Sequence, residues 1–216
     1  MKPVAKPPKQ GFLIDRTAYL SKDAVFKVFK EEPMKSYSDF RMFIGFRAHI
    51  GPNCIIGYGV EIHDHVRLGD RVVAHNGVTI VSTCNIGAGT EIGYLSILKC
   101  LSIGELVNIG SNVFIFGQET TVGDRTTIGN NSTIAYTKIG SDVTIGKNVQ
   151  FHSLDGDIDS YIIVGNGAQI GDNTEIKPRV IIPDRCIIPA NYIARPRLDQ
   201  DLGELPILTK KQVQTA

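Results

Sequence analysis

Five histidines, His49, His63, His65, His75 and His152, are the side chains of this sequence best suited to chemistry. Three neutral imidazoles with an open water position make a catalytic zinc site, and a single imidazole makes a general base near neutral pH. His63 and His65 stand two apart around Asp64, and residues two apart on a strand leave the same side of it. His49 precedes them, and the three are read together on one outer face as candidate zinc ligands. His75 stands elsewhere, in Val73-Ala74-His75-Asn76-Gly77-Val78. A corner imidazole of this kind can take a proton from a hydroxyl or amine, so His75 and its neighbour Asn76 are the candidate catalytic residues.

A six-residue beat must position them. An aliphatic residue, usually followed by Gly, recurs at Ile44-Gly45, Ile50-Gly51, Ile56-Gly57, Ile62, Leu68-Gly69, Ala74, Ile80, Ile86-Gly87 and Ile92-Gly93. After a slip it resumes at Ile103-Gly104 and runs through Ile109, Ile115, Val122, Ile128, Ile134, Ile139 and Ile145, then returns from Val164 to Ile188. A hexapeptide period is the mark of a parallel β-helix, in which each hexad supplies one short strand and one corner and the stacked coils bury an aliphatic column. Three hexads, about eighteen residues, make one triangular coil, and about eight coils follow from the count. The expected fold class is all-β.

The same beat places most of the cysteines. Cys54, Cys84 and Cys186 each fall four residues after a column residue, the position taken elsewhere by Val60, Val66, Val72 and Val78, and they are expected inside. Cys100 lies in the slip, where the register does not place it. No CxxC spacing suggests a zinc or disulfide framework.

Along the chain, residues 1–11 are lysine- and proline-rich and read as a flexible arm. Residues 12–43, where the beat is weak and aromatics gather, read as a capping coil and loop. The repeat is assigned to 44–193 with a loop at 152–163, and 194–216 as a polar tail in which a short helix could start at Thr209. Asp155, Asp157 and Asp159 imitate the start of a calcium loop, but position twelve is Asn166 instead of Glu, so an acidic surface loop is expected.

The 216 residues are 42% hydrophobic and 21% charged, with a net charge of +1. That balance argues against nucleic acid as a partner, since phosphate binding needs clustered Lys and Arg. No apolar run suits a membrane span or a leader, so no membrane partner and a cytoplasmic location are expected.

Three stretches carry a family resemblance. Leu13-Ile14-Asp15-Arg16-Thr17-Ala18, Leu68-Gly69-Asp70-Arg71 running to Asn76-Gly77-Val78, and Ile182-Pro183-Asp184 with Ile188-Pro189-Ala190 are similar to the opening, an inner coil and the close of the γ-class carbonic anhydrases. The resemblance implies a left-handed β-helix, a homotrimer, a small-molecule substrate and a zinc ion that hydrates CO2. Carried over residue by residue, the family's glutamine falls on His75 and its first zinc histidine on Val81, and no later His-x4-His pair exists. Ala74-His75-Asn76 also resembles the stretch around the basic histidine of lipid A biosynthesis acyltransferases. That resemblance implies acyl-CoA or an acyl carrier as donor, with His75 as base and corner amides at the oxyanion. Loss of all three zinc ligands would equally suit a non-catalytic trimeric scaffold.

Overall fold

The computed structural model describes residues 42–81, 83–152 and 161–196 in full, and the backbone of 12–14, 19–20 and 25–26. The arm at 1–11, the acidic stretch 155–159 and the tail beyond 196 lie outside the described residues.

Each hexad builds one short strand and one turn. In Glu61-Ile62 the column residue Ile62 points inward and is fully buried while Glu61 points out, the alternation that an extended backbone imposes. Two residues later the chain turns, and the third residue after the column adopts a left-handed conformation. Among the described residues, sixteen of the seventeen non-glycine residues with positive φ, from Arg47 to Asn191, occupy that one hexad position, and Gly59, Gly77, Gly89 and Gly167 fill it elsewhere. The fourth residue then turns back inside: Ala48, Cys54, Val60, Val66, Val72 and Val78 are all buried. Burying one such aliphatic side chain contributes about 1.5–3 kcal/mol, and the sum over the column makes the solenoid stable.

Strands stack only with strands one coil away, so three parallel sheets form the sides of a prism, with ten, nine and nine strands. The first sheet begins with Phe12–Ile14 and continues through Met42–Ile44, Glu61–Ile62 and Thr79–Ile80. The second contains Tyr19–Leu20, His49–Ile50 and Arg67–Leu68; the third contains Val25–Phe26, Ile55–Ile56 and Val73–Ala74. Column residues align in register, as in Ile44↔Ile62, Ile62↔Ile80 and Ile80↔Leu98. The described residues contain strands and turns and no helix, in about eight turns from Met42 onward, and a left-handed winding is consistent with the hexapeptide period.

Polar groups at the corners are satisfied between coils. The Asp64 carboxylate accepts the Phe46 N–H of the coil before at 2.7 Å, and Asp124, Asn130 and Asp172 do the same for Glu105, Ser111 and Lys147. Buried hydroxyls also bridge coils: Thr90 Oγ1 donates to Gly104 O and accepts from Val107 N–H. Such bonds keep backbone groups from being buried unpaired.

From Met42 onward, the beat of the described residues is broken at one corner only. Over that span, passing from the second sheet to the third, or from the third to the first, column residues are always six apart, as in Ile103 to Ile109 and Ile109 to Ile115. Passing from the first sheet to the second, Leu98 to Ile103 is five, Ile115 to Val122 seven, Ile134 to Ile139 five and Phe151 to Val164 thirteen. The slip and the long interval between Phe151 and Val164 therefore belong to a single edge of the prism.

Candidate functional site

His75 sits at the corner that follows strand Val73–Ala74 of the third sheet, between Ile55–Ile56 below and Glu91–Ile92 above. It occupies the position directly after the column residue, where the coils on either side carry Gly57 and Gly93. A Cβ at Gly57 would meet the His75 carbonyl carbon and the Asn76 amide, so the coils touch closely here. The His75 side chain extends along the outside. Its Nε2 lies 2.7 Å from Glu91 Oε1, on the outward residue of the next coil's strand, with a proton shared between them. The Tyr94 ring packs against the imidazole with centroids 4.6 Å apart. These neighbours leave the His75 side chain 15% exposed, with Nδ1 buried, while Glu91 is 52% exposed. A half-sheltered imidazole beside an exposed carboxylate can exchange a proton with a bound hydroxyl or amine.

Asn76 has a different task in the observed geometry. Its side chain is buried and its Oδ1 accepts the Tyr58 N–H at 2.9 Å, the bond that Asp64, Asp124 and Asp172 make at other corners. It builds the corner on which His75 stands. Glu91 and Tyr94 were not singled out from the sequence, although both lie about one coil beyond His75 and the period could have located them.

The three histidines expected on one face do not share it. His49 is the outward residue of strand His49–Ile50 in the second sheet, paired with Tyr19 and Arg67. His63 and His65 follow strand Glu61–Ile62 of the first sheet, so they leave the strand and enter a corner. His63 packs on the Phe43 ring and lies 3.6 Å from Glu61, while His65, at φ +60°, packs on Phe46. His152 lies 3.5 Å from Glu175, far along the solenoid. The shared face required all three to lie on strands, and only His49 does. Among the described residues no group of three His, Cys, Asp or Glu side chains is placed to hold a metal. The donors present do not fit the implied zinc ion.

Comparison with known proteins agrees with this architecture. A family model described as the hexapeptide repeat of succinyl-transferase matches residues 47–82 and 100–136. This chain is a hexapeptide-repeat β-solenoid. Among solved structures, LpxA from Acinetobacter baumannii superposes with a TM-score of 0.55 at 18% identity, covering 85% of this chain and 67% of that one. The UDP-N-acetylglucosamine O-acyltransferase LpxA from Moraxella catarrhalis gives a TM-score of 0.51 at 15% identity, with coverage of 85% and 67%. At these identities the likeness is one of fold. No curated protein matches the sequence. None of these hexapeptide-repeat comparisons points toward CO2 hydration.

Proposed function

We propose that this hexapeptide-repeat protein is an acyltransferase in which His75 is the general base. The observation that carries the reading is the His75–Glu91 pair, 2.7 Å apart at a corner where the coils on either side carry glycine. The donor is an acyl thioester on CoA or an acyl carrier, and the acceptor is a small molecule with a hydroxyl or amine. Because Nδ1 is enclosed, the acceptor reaches the ring at Nε2 by entering between it and Glu91, and the ring's own proton then sits on Nδ1, so that Nε2 carries the accepting lone pair. His75 takes the acceptor's proton, the acceptor oxygen or nitrogen attacks the thioester carbonyl, and the thiolate leaves with that proton. The imidazolium formed between these steps lies against the Glu91 carboxylate. Solved acyltransferases with the same solenoid support the assignment at the level of fold.

The working form in this reading is a homotrimer. Its support is the set of large apolar side chains left exposed on one chain, Leu95, Ile97 and Leu106, which three-fold packing would cover. Light scattering on the purified chain measures the mass directly, and a monomer at micromolar concentration removes this part.

The decisive experiment compares wild-type protein with His75→Ala across a panel of acyl-CoA and acyl-carrier donors and of hydroxyl and amine acceptors. Loss of the base lowers turnover by about 10²–10⁴-fold. A His75→Ala protein that transfers acyl groups as well as wild type, or a wild-type protein inert to the whole panel, overturns the assignment.

A further inference from the structure

From Met42 onward, all departures from the six-residue beat fall on one edge of the prism, and a cleft opens there. It has a volume of about 380 Å³, within the range of small-ligand sites, and lies away from the His75 corner. In repeat proteins, insertions gather on the face that binds. The five-residue corner brings Lys99 to its rim, the seven-residue corner adds Gly117-Gln118-Glu119, and the next five-residue corner brings in Tyr136. Tyr136 has φ +45° and is, among the described residues, the one left-handed non-glycine residue outside the regular hexad position. Off-pattern backbone of this kind persists where surrounding structure holds it, and it gathers at ligand sites.

The lining is aromatic on its sides and charged at its poles. Phe114 and Phe116 lie 5.1 Å apart, Phe116 and Tyr136 5.9 Å, and Tyr136 and Tyr161 6.5 Å, giving a continuous series of rings across three coils. Glu119 lines the cleft beside Tyr161. Lys99 stands at the lower pole, one coil below Phe116 in register. Lys138, which does not line the cleft, already holds its ammonium 5.3 Å from the Tyr161 centroid, so this aromatic surface does attract an alkylammonium.

We propose that the cleft binds a small zwitterion, a quaternary ammonium enclosed by Phe116, Tyr136, Tyr161 and Glu119, with its carboxylate on Lys99. Three rings and one carboxylate offer a cation electrostatic attraction but few hydrogen-bond acceptors. A trimethylammonium group, which has no N–H to satisfy, loses least on entering such a lining. The opposite charges of Glu119 and Lys99 match the two ends of the ligand and reject its reversed orientation.

Calorimetry on the full chain tests this with three probes: glycine betaine, choline, and 3,3-dimethylbutanoate, in which carbon replaces the quaternary nitrogen. Betaine binds one per chain and the isostere without the cationic nitrogen at least about tenfold more weakly. Choline, lacking the carboxylate, also binds more weakly than betaine. Tyr136→Leu and Glu119→Gln each lower betaine affinity about tenfold or more, with thermal unfolding recorded to show that the solenoid is intact. Lys99→Met, at an exposed position, lowers betaine affinity and leaves choline unchanged. Equal binding of betaine and its isostere, equal binding of betaine and choline, or no binding of betaine overturns the proposal. These readouts are independent of acyl transfer.

Discussion

The Cys84 and Cys100 sulfurs lie 2.6 Å apart in the core, one coil above the other. Cys84 points inward as the fourth residue after Ile80 in a six-residue corner, whereas Cys100 is only the second after Leu98 in a five-residue one. The missing residue turns Cys100 inward onto Cys84. The thiol contact and burial raise the Cys100 pKa well above its ordinary value, and burial raises that of Cys54. A raised folded-state pKa means that the protonated thiol is the form the fold favours. Its contribution is present in full below the unfolded thiol's pKa and is lost as pH rises through the folded value. The thiolate is the nucleophile, so iodoacetamide at neutral pH leaves Cys84 and Cys100 unmodified in the folded chain and labels both in urea. The unfolding temperature falls at alkaline pH. Rapid labelling of Cys100 in the native protein at pH 7 would show that this corner is open.

Asn76 separates a structural task from a chemical one. Its Oδ1 satisfies the Tyr58 amide, and Asp does the same work at the corners of Asp64, Asp124 and Asp172. Asn76→Ala leaves a backbone N–H unsatisfied and costs about 1–3 kcal/mol, whereas Asn76→Asp keeps that acceptor and costs less at acidic pH, where the buried carboxyl is neutral. Urea unfolding at acidic pH measures both. Equal destabilisation by the two substitutions would mean that the corner bond is not what holds Asn76.

Much of this was legible because one physical rule, burial of every sixth side chain, repeats along the chain. It gave Ile62 beneath Ile80 and put Cys54, Cys84 and Cys186 inside. It misplaced His63 and His65 because they follow their column residue, and a chain leaving a strand turns through the left-handed position before alternation resumes. The rule reads columns, so it is silent where the column spacing changes. Cys100, Tyr136 and the aromatic cleft sit at just those changes. Glu91 escaped for another reason: nothing in its own hexad marks it, and its role comes from the coil below.

Glu91 is a positioning residue for His75 in the proposed reaction. Its carboxylate is half exposed and touches the imidazole edge that the acceptor would approach. Glu91→Gln keeps a hydrogen-bonding side chain and removes the charge facing the imidazolium, so kcat falls about tenfold while acceptor KM changes little. Stability stays within about 0.5 kcal/mol, as for other exposed substitutions. Steady-state kinetics on the full chain give both constants, and an effect confined to KM would assign Glu91 to acceptor binding.

Leu106 tests the conformational rule behind every corner. It occupies the left-handed position at φ +55°, is 59% exposed, and lies over Gly89 of the preceding coil. Left-handed backbone costs an ordinary side chain about 1–2 kcal/mol, and Asn tolerates it best after Gly. Asn at this hexad position also links coils: Asn148 Nδ2 donates to Asn173 Oδ1 at 3.0 Å, and Asn173 Nδ2 to Asn191 Oδ1 at 3.1 Å. Leu106→Asn is therefore expected to stabilise the chain by about 1 kcal/mol, and Asn148→Leu to destabilise it by at least as much because it also breaks that link. Urea unfolding at several protein concentrations measures both changes. A destabilised Leu106→Asn whose midpoint also becomes more dependent on concentration would mean that Leu106 contributes more to contacts between copies than its strained backbone costs.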